Sequence, residues 1–372
     1  MRIDFHGTLT DEPRIRAGFI GCGSHSFRNL YPALQFAAVD LVATCDLDRE
    51  RAKAFADAFG ARTAYDDYAT MISREELDAV FICTGYDPAG RPLHARIGRD
   101  CVEAGLHVWM EKPPAATSDE LIELRRAARS VGRIVMVGFK KMFFPANEKA
   151  RDLMNAPGFG TPHLVTIRYP QFVPTPQELR SYRDDGVANA TVGFLDHLCH
   201  PVSLLLFLVG MPVSLHYARS GAGGGVATFC YESGAVATIM LDHGASRNGG
   251  MERTTIVADA GAHITVANNT TVTMHRGGAR GYGNVGSFYD GEPHEASAVW
   301  QPEFSLGQLY NKGLFLLGYY GELEEFAQAV LGGRPPAKAT LDDAVDATRI
   351  FEAFAEGPNR RIDLTRPDGG VI

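Results

Sequence analysis

The chain has 372 residues, 45% of them hydrophobic and 22% charged, which suits two globular domains better than one. Its formal net charge of −8 argues against the clustered basic surfaces that nucleic acid or anionic membranes require. Six scattered cysteines without a CxxC pair exclude a disulfide framework and a cysteine-built zinc site, and fit a reducing compartment.

The first fourteen residues, MRIDFHGTLTDEPR, lack the apolar core of a secretory signal. The longest apolar run, 202–211, is about half of the ~20 residues a membrane span needs. A soluble, cytoplasmic protein is therefore expected. From residue 14 to residue 139, apolar strand candidates alternate with helical patterns. IRAGFIG (15–21) is followed by DLVATCD (40–46), a helix in RERAKAFADAFG (49–60) and a buried strand in DAVFICTG (78–85). A helix in RIGRDCVEAGL (96–106), a strand in HVWMEKP (107–113), a helix in SDELIELRRAARSVG (118–132) and a strand in IVMVGF (134–139) complete the series. Such alternation predicts βαβ units on a doubly wound parallel sheet.

The texture changes after residue 144. A helix near 146–154 leads into HLVTIRY (163–169), which alternates with period two. GVATFCYESGAVATIML (225–241) and RTTIVADAGAHITVANNTTVTMHRG (253–277) read as hairpins of an antiparallel sheet joined by Ser-Gly, Ala-Gly and Asn-Asn turns. Two helices, in 321–333 and 341–357, close the chain. Residues 1–142 are thus expected to form a dinucleotide-binding domain. Residues 143–372 are expected to form an α/β domain on a mostly antiparallel, open-faced sheet that binds substrate and oligomerises, as a dimer or tetramer, because an open face must be covered. The Gly-rich tract 275–287 reads as a loop rather than an RNA-binding segment.

Three stretches carry chemistry. In GFIGCGSHSFRNLYPAL (18–34), Gly21 allows a tight strand-to-helix turn and Gly23 lets backbone amides approach a pyrophosphate, with Ser24, His25 and Ser26 opening the helix. Ser26 stands where Gly or Ala is usual, its hydroxyl within reach of phosphate, and Pro32 should kink or delay the helix. Asp46 closes the second strand, where a carboxylate accepts hydrogen bonds from adenosine ribose and repels a 2′-phosphate, favouring NAD over NADP. Lys112, in WMEKPPAA (109–116), follows a buried strand at the carboxyl edge where open sheets bind ligands, and its ammonium can stabilise developing negative charge. His200 is suited to proton exchange near neutral pH, and Asp196 shares its helical face. His197 and His200 form an H-x-x-H pair without a third ligand at useful spacing, so no metal site is expected.

In this order, the glycine turn, the acidic strand end, DAVFICTG…H (78–94), EKP and GFLDHLCH (193–200) resemble the Gfo/Idh/MocA family, which includes glucose–fructose oxidoreductase and inositol dehydrogenase; AGAHITV (260–266) is similar to its sheet hairpin. The resemblance spans about residues 14–357 and implies NAD-dependent hydride transfer at a secondary alcohol or ketone of a sugar, cyclitol or polyol. It implies that Lys112 contacts both the nicotinamide ribose and the reacting hydroxyl, that Asp196 and His200 are the carboxylate and acid/base of the D-x-x-x-H motif, and that Thr84, Gly85, His94 and Glu111 line the cofactor. Tyr169, Tyr182, Arg183, Asn189 and His197 are candidate substrate-pocket residues by position. The sequence departs from the family's pattern at Leu198 and Ser203, in the single Gly193 before the aspartate, and at Lys141, where arginine is common. Pro201 requires the helix to begin near residue 197 if His200 is to sit in its first turn. Two other readings stay open: a non-catalytic NAD-binding regulator of the same fold, and a redox-neutral lyase or epimerase that retains its NAD.

Overall fold

The computed structural model describes residues 13–186, 189–245, 252–259, 261–276, 297–301 and 312–365. Strands β1 (Ile15–Ile20), β2 (Val39–Cys45), β3 (Thr63–Tyr65), β4 (Ala79–Ile82), β5 (His107–Met110) and β6 (Val135–Val137) form a parallel sheet in the order β3-β2-β1-β4-β5-β6. The reversal of strand order beside β1 is the switch point at which such sheets bind ligands. Burial on both faces explains why these strands read as continuous apolar runs; Phe19, Phe81 and Trp109 are fully enclosed. Helices α1 (Tyr31–Leu34), α2 (Arg49–Phe59), α3 (Tyr68–Arg74), α4 (His94–Glu103) and α5 (Ser118–Val131) supply the crossovers. Gly60 ends α2 in the left-handed region, and a Thr117–Glu120 capping box opens α5. Pro32 acts as expected: a π-helical turn at Ser26–Leu30 precedes α1, with the proline in its first turn.

Beyond α6 (Pro145–Met154) the chain runs through β7 (Pro162–Tyr169), α7 (Pro176–Asp185) and α8 (Asn189–Val209), then β8 (Ser214–Arg219), β9 (Gly225–Cys230), β10 (Val236–Leu241), β11 (Arg253–Ala258), β12 (His263–Ala267), β13 (Thr271–His275) and β14 (Ala298–Trp300). Helices α9 (Lys312–Leu316), α10 (Tyr319–Leu331) and α11 (Leu341–Ala353) follow, and β15 (Arg361–Asp363) completes a second sheet ordered β14-β13-β12-β11-β7-β10-β9-β8-β15. Its pairs are antiparallel except β7 with β10. Asn268 and Asn269 both adopt positive φ (52° and 56°) in the loop between β12 and β13, the conformation of the two central residues of a type I′ turn, and the Thr270 N–H closes it on Ala267 O at 3.1 Å. The glycine-rich tract lies, beyond Arg276, outside the described residues.

One feature of this second half corrects the sequence expectations. The helix bearing His200 begins at Asn189, not near 197, and runs through Pro201. Apolar contacts along its length outweigh the missing proline N–H, which leaves the His197 carbonyl without its i+4 donor. This helix is long and apolar enough to cross a membrane, but it is mostly buried inside the protein and carries Asp196, His197 and His200. The C-terminal helices also return to the first sheet. Phe326 packs edge-on against Phe81 at 5.4 Å, Glu324 accepts the Ala38 N–H at 2.8 Å, and Ala339 O accepts the Val137 N–H at 2.9 Å.

Candidate active site

The turn after β1 is built for a phosphate group. Gly21 has φ of +108°, and a Cβ there would lie 1.9 Å from Cys83 O, so only glycine fits. At Gly23 a Cβ would meet nothing within 4 Å, so the space above the turn is open. The Phe27 N–H donates to Gly23 O at 2.9 Å, which places the amides of Ser24, His25 and Ser26 in the helix's first, unpaired turn. Asp46 stands beside them: its Oδ2 accepts the Cys22 N–H at 2.8 Å and its Oδ1 accepts the Asp48 N–H at 3.0 Å. Arg51 lies 3.5 Å from Asp46 Oδ1. Among the described residues, Thr84 Oγ1, just beyond β4, is buried without a hydrogen-bond partner, and a Cβ on neighbouring Gly85 would meet nothing within 4 Å. A dinucleotide fits these groups: Gly21, Gly23 and the helix amides would hold the pyrophosphate, Asp46 the ribose, and Thr84 with Gly85 the nicotinamide end.

Three cofactor candidates serve this wall from behind. Ser26 is fully buried, beside Cys83, so its hydroxyl faces the interior instead of a phosphate. Glu111 is held by its own neighbourhood: His25 Nε2 donates to Oε1 at 3.0 Å and the Lys112 N–H to Oε2 at 2.7 Å. Asn29 Nδ2 donates to His25 Nδ1 at 3.2 Å, which assigns the ring proton to Nε2. Burial alone would raise the Glu111 carboxyl, but the His25 hydrogen bond and the Lys112 charge bring it below the usual carboxylate range. His94 also uses both nitrogens inside the fold. Its Nε2 accepts the Thr84 N–H at 3.2 Å and its Nδ1 donates to Pro113 O at 2.9 Å, and burial keeps the ring neutral by lowering its pKa. It clamps the strand ends that carry Thr84 and Lys112, with both ring nitrogens engaged inside the protein.

Lys112 and Asp196 meet across the cleft. Lys112 Nζ donates to Asp196 Oδ1 at 2.8 Å. Burial would lower the Lys112 ammonium, but Glu111 and Asp196 hold it above its ordinary value, so it stays charged. His200 lies on the same face of α8 as Asp196. Its ring centroid is 6.1 Å from that of Tyr169 and 6.3 Å from that of His197, whose Nε2 lies 3.7 Å from Asp196 Oδ2. His200 is 9% exposed, and its ring nitrogens have no hydrogen-bond partner among the described residues. Burial, reinforced by the ammonium groups of Lys112, Lys140 and Lys141, pushes its imidazole well below the ordinary value. A neutral imidazole beside a charged lysine can take a hydroxyl proton, while the lysine stabilises the oxygen left behind.

The structure does not bring Tyr182 or Arg183 to this pair. Tyr182 is buried and donates to Gly90 O at 2.9 Å. Arg183 is exposed, with its Nε on Asp184 at 3.1 Å, and lines a separate cleft with Arg349 and Arg360. Both point this way because α7 turns one face to α8 and the turn at 354–356 and the other to solvent. Asn189 opens α8, but its side chain lies outside the described residues. Sequence reasoning missed other neighbours. The Tyr86 hydroxyl donates to Asp196 Oδ1 at 3.1 Å. Lys141, itself buried, pairs with Glu252 and lies 5.8 Å from the Tyr169 ring centroid. Lys140 donates to the Tyr319 hydroxyl at 2.7 Å, and Glu322 is fully buried, with neither carboxyl oxygen hydrogen-bonded among the described residues.

The model of the Gfo/Idh/MocA oxidoreductase family, NAD-binding Rossmann fold, matches residues 15–139, and that of the family's C-terminal domain matches residues 147–289. A D-xylose 1-dehydrogenase (NADP(+)) of Haloferax volcanii is 31% identical over 196 residues, 52% of this chain and 57% of that protein. An inositol 2-dehydrogenase of Saccharopolyspora erythraea is 32% identical over 155 residues, 41% of this chain and 44% of that protein. The chain thus spans about half the length of these curated relatives. A dehydrogenase from Chromobacterium violaceum has the same fold, with a TM-score of 0.77 at 23% identity over 93% of this chain and 96% of that one.

Proposed function

The chain belongs to the Gfo/Idh/MocA oxidoreductase family, and on that footing we propose that it moves a hydride between NAD(H) and a secondary alcohol or ketone of a sugar, cyclitol or related polyol. The observation that supports this reading is the partly buried ion pair of Lys112 with Asp196, with the buried His200 one helical turn beyond Asp196 on α8. Lys112 hydrogen-bonds the substrate oxygen and stabilises the alkoxide. His200 takes the hydroxyl proton in oxidation and returns it in reduction. Asp196 orients the substrate hydroxyl and keeps Lys112 charged. The bound nicotinamide supplies the hydride acceptor. Asp46 makes NAD the preferred cofactor, and Arg51 beside it leaves NADP as the second.

The same reading assigns residues 1–142 to cofactor binding, residues 143–372 to substrate binding and assembly, and the protein to the cytoplasm. It includes a homo-oligomer formed through the uncovered face of the second sheet. That face carries a row of threonines in register, Thr228, Thr238, Thr166, Thr255, Thr265 and Thr273, flanked by exposed Val226, Met240 and Val299. Reduction of NAD and NADP across a panel of sugars, cyclitols and polyols tests the catalytic reading. Turnover with NAD supports it. Clear NAD binding without turnover would favour a regulator instead.

A further inference from the structure

Tyr86 sits on the loop 83–92 between β4 and α4, and its hydroxyl reaches the same oxygen of Asp196 that accepts from Lys112, at 3.1 and 2.8 Å. Two donors converging on Oδ1 fix the rotation of the carboxylate and leave Oδ2 on the side of His197 Nε2, 3.7 Å away. The loop that delivers the phenol is braced. Asp87 N–H donates to Arg91 O, Arg91 N–H to Asp87 Oδ1 and Gly90 N–H to Asp87 O, each at 2.9 Å. Tyr86 itself bridges to Pro92, and Tyr182 donates to Gly90 O from α7. Gly186 is needed beneath it, since a Cβ there would lie 2.6 Å from Ala89 O.

Tyr86 is 37% exposed. Water could satisfy such a hydroxyl, so its engagement with a charged carboxylate is a property of the loop rather than a requirement of burial. Desolvation and the Asp196 charge raise the phenol above its ordinary value, so it remains a donor across the working pH range.

We propose that Tyr86 is a positioning residue of the active site, acting through Asp196: it pins one carboxylate oxygen beside Lys112 so that the other addresses the substrate hydroxyl. This rests on the hydride-transfer reading. A hydrogen bond to a charged group is worth enough to matter here, and its loss lets the carboxylate rotate away from the reactive geometry.

The test is Tyr86→Phe, which keeps the ring and removes the hydroxyl, followed by single-turnover hydride transfer at saturating NAD with the best substrate of the panel. The expected result is a fall in kcat of about ten-fold or more, with KM, NAD affinity and Tm near wild type. In an Asp196→Asn background the same substitution should cost nothing further, since the two residues act as one unit. Unchanged kcat, a rise in KM alone, or additive losses would each overturn the proposal. Crystal structures of NAD-bound wild type and Tyr86→Phe give a readout independent of turnover: a rotated Asp196 carboxylate in the variant supports the role, and an unmoved one refutes it. Failure of the wild type to oxidise any polyol would sink the hydride-transfer reading alone.

Discussion

Replacing Lys112 with methionine removes the ammonium while leaving most of the site standing. Methionine fills the same volume, and the residue 112 N–H still donates to Glu111 Oε2, a bond of 2.7 Å in the native protein, so the EKP backbone keeps its clamp. Asp196 retains the Tyr86 donor and, with 28% of its side chain exposed, regains water on the open side; the loss of stability should therefore stay below the 3–5 kcal/mol typical of a broken, fully buried pair. The catalytic loss is larger. A preorganised donor aimed at a developing oxyanion contributes about 2.7–4 kcal/mol, or on the order of 10²–10³ in kcat. Steady-state NADH formation, with NAD affinity measured separately, checks this. A second consequence follows from His200, whose imidazole is lowered by burial first and by the Lys112 charge second. Without that charge the acid limb of the pH–rate profile should move upward. Full activity with an unmoved profile would remove Lys112 from the mechanism.

Other expectations concern the base and the cofactor. For wild-type oxidation, His200 must be unprotonated, and its lowered pKa keeps it so below the ordinary histidine range. The kcat/KM plateau should therefore extend through neutral pH into mildly acidic solution; a fall centred at the ordinary value of about 6.5 would contradict the burial and lysine field described here. Asp46→Ala removes the acceptor that bonds the Cys22 N–H and leaves Arg51 to meet a 2′-phosphate. The ratio of kcat/KM for NAD to that for NADP should fall by about ten-fold or more, the worth of a charged hydrogen bond. An unchanged preference would sink the ribose role.

The candidate site is legible where its groups lie within short local patterns. Lys112 follows directly from a buried strand and Asp196 precedes His200 by one helical turn, so local spacing marks all three, while the roles of Asp196 and His200 come from the family resemblance. Gly21 was legible for the same reason, because a tight turn after β1 demands positive φ. Contacts made between distant segments were not. Tyr86 meets Asp196 across 110 positions, and Lys141 meets Glu252 across 111; no local pattern encodes either pair. His94 and Ser26 lie at the starts of the helical turns that follow β4 and β1, but the sequence does not show that their side chains are buried. For His94 two backbone groups claim the ring. Tyr182 and Arg183 were assigned to the pocket by position along the chain, whereas the facing of α7 decides where they point. The start of α8 was misplaced because a proline penalty of about 3 kcal/mol was weighed without the burial of the helix around it.

The most direct test of the central claim is to follow the hydride itself. A polyol from the panel, carrying deuterium on the reacting carbon, is incubated with the enzyme and NAD, and the recovered cofactor is weighed by mass spectrometry. Hydride transfer at Lys112 and His200 predicts deuterated NADH in equal amount with the ketone, and loss of both products in His200→Ala. Unlabelled cofactor alongside a converted sugar would contradict it and identify a redox-neutral reaction.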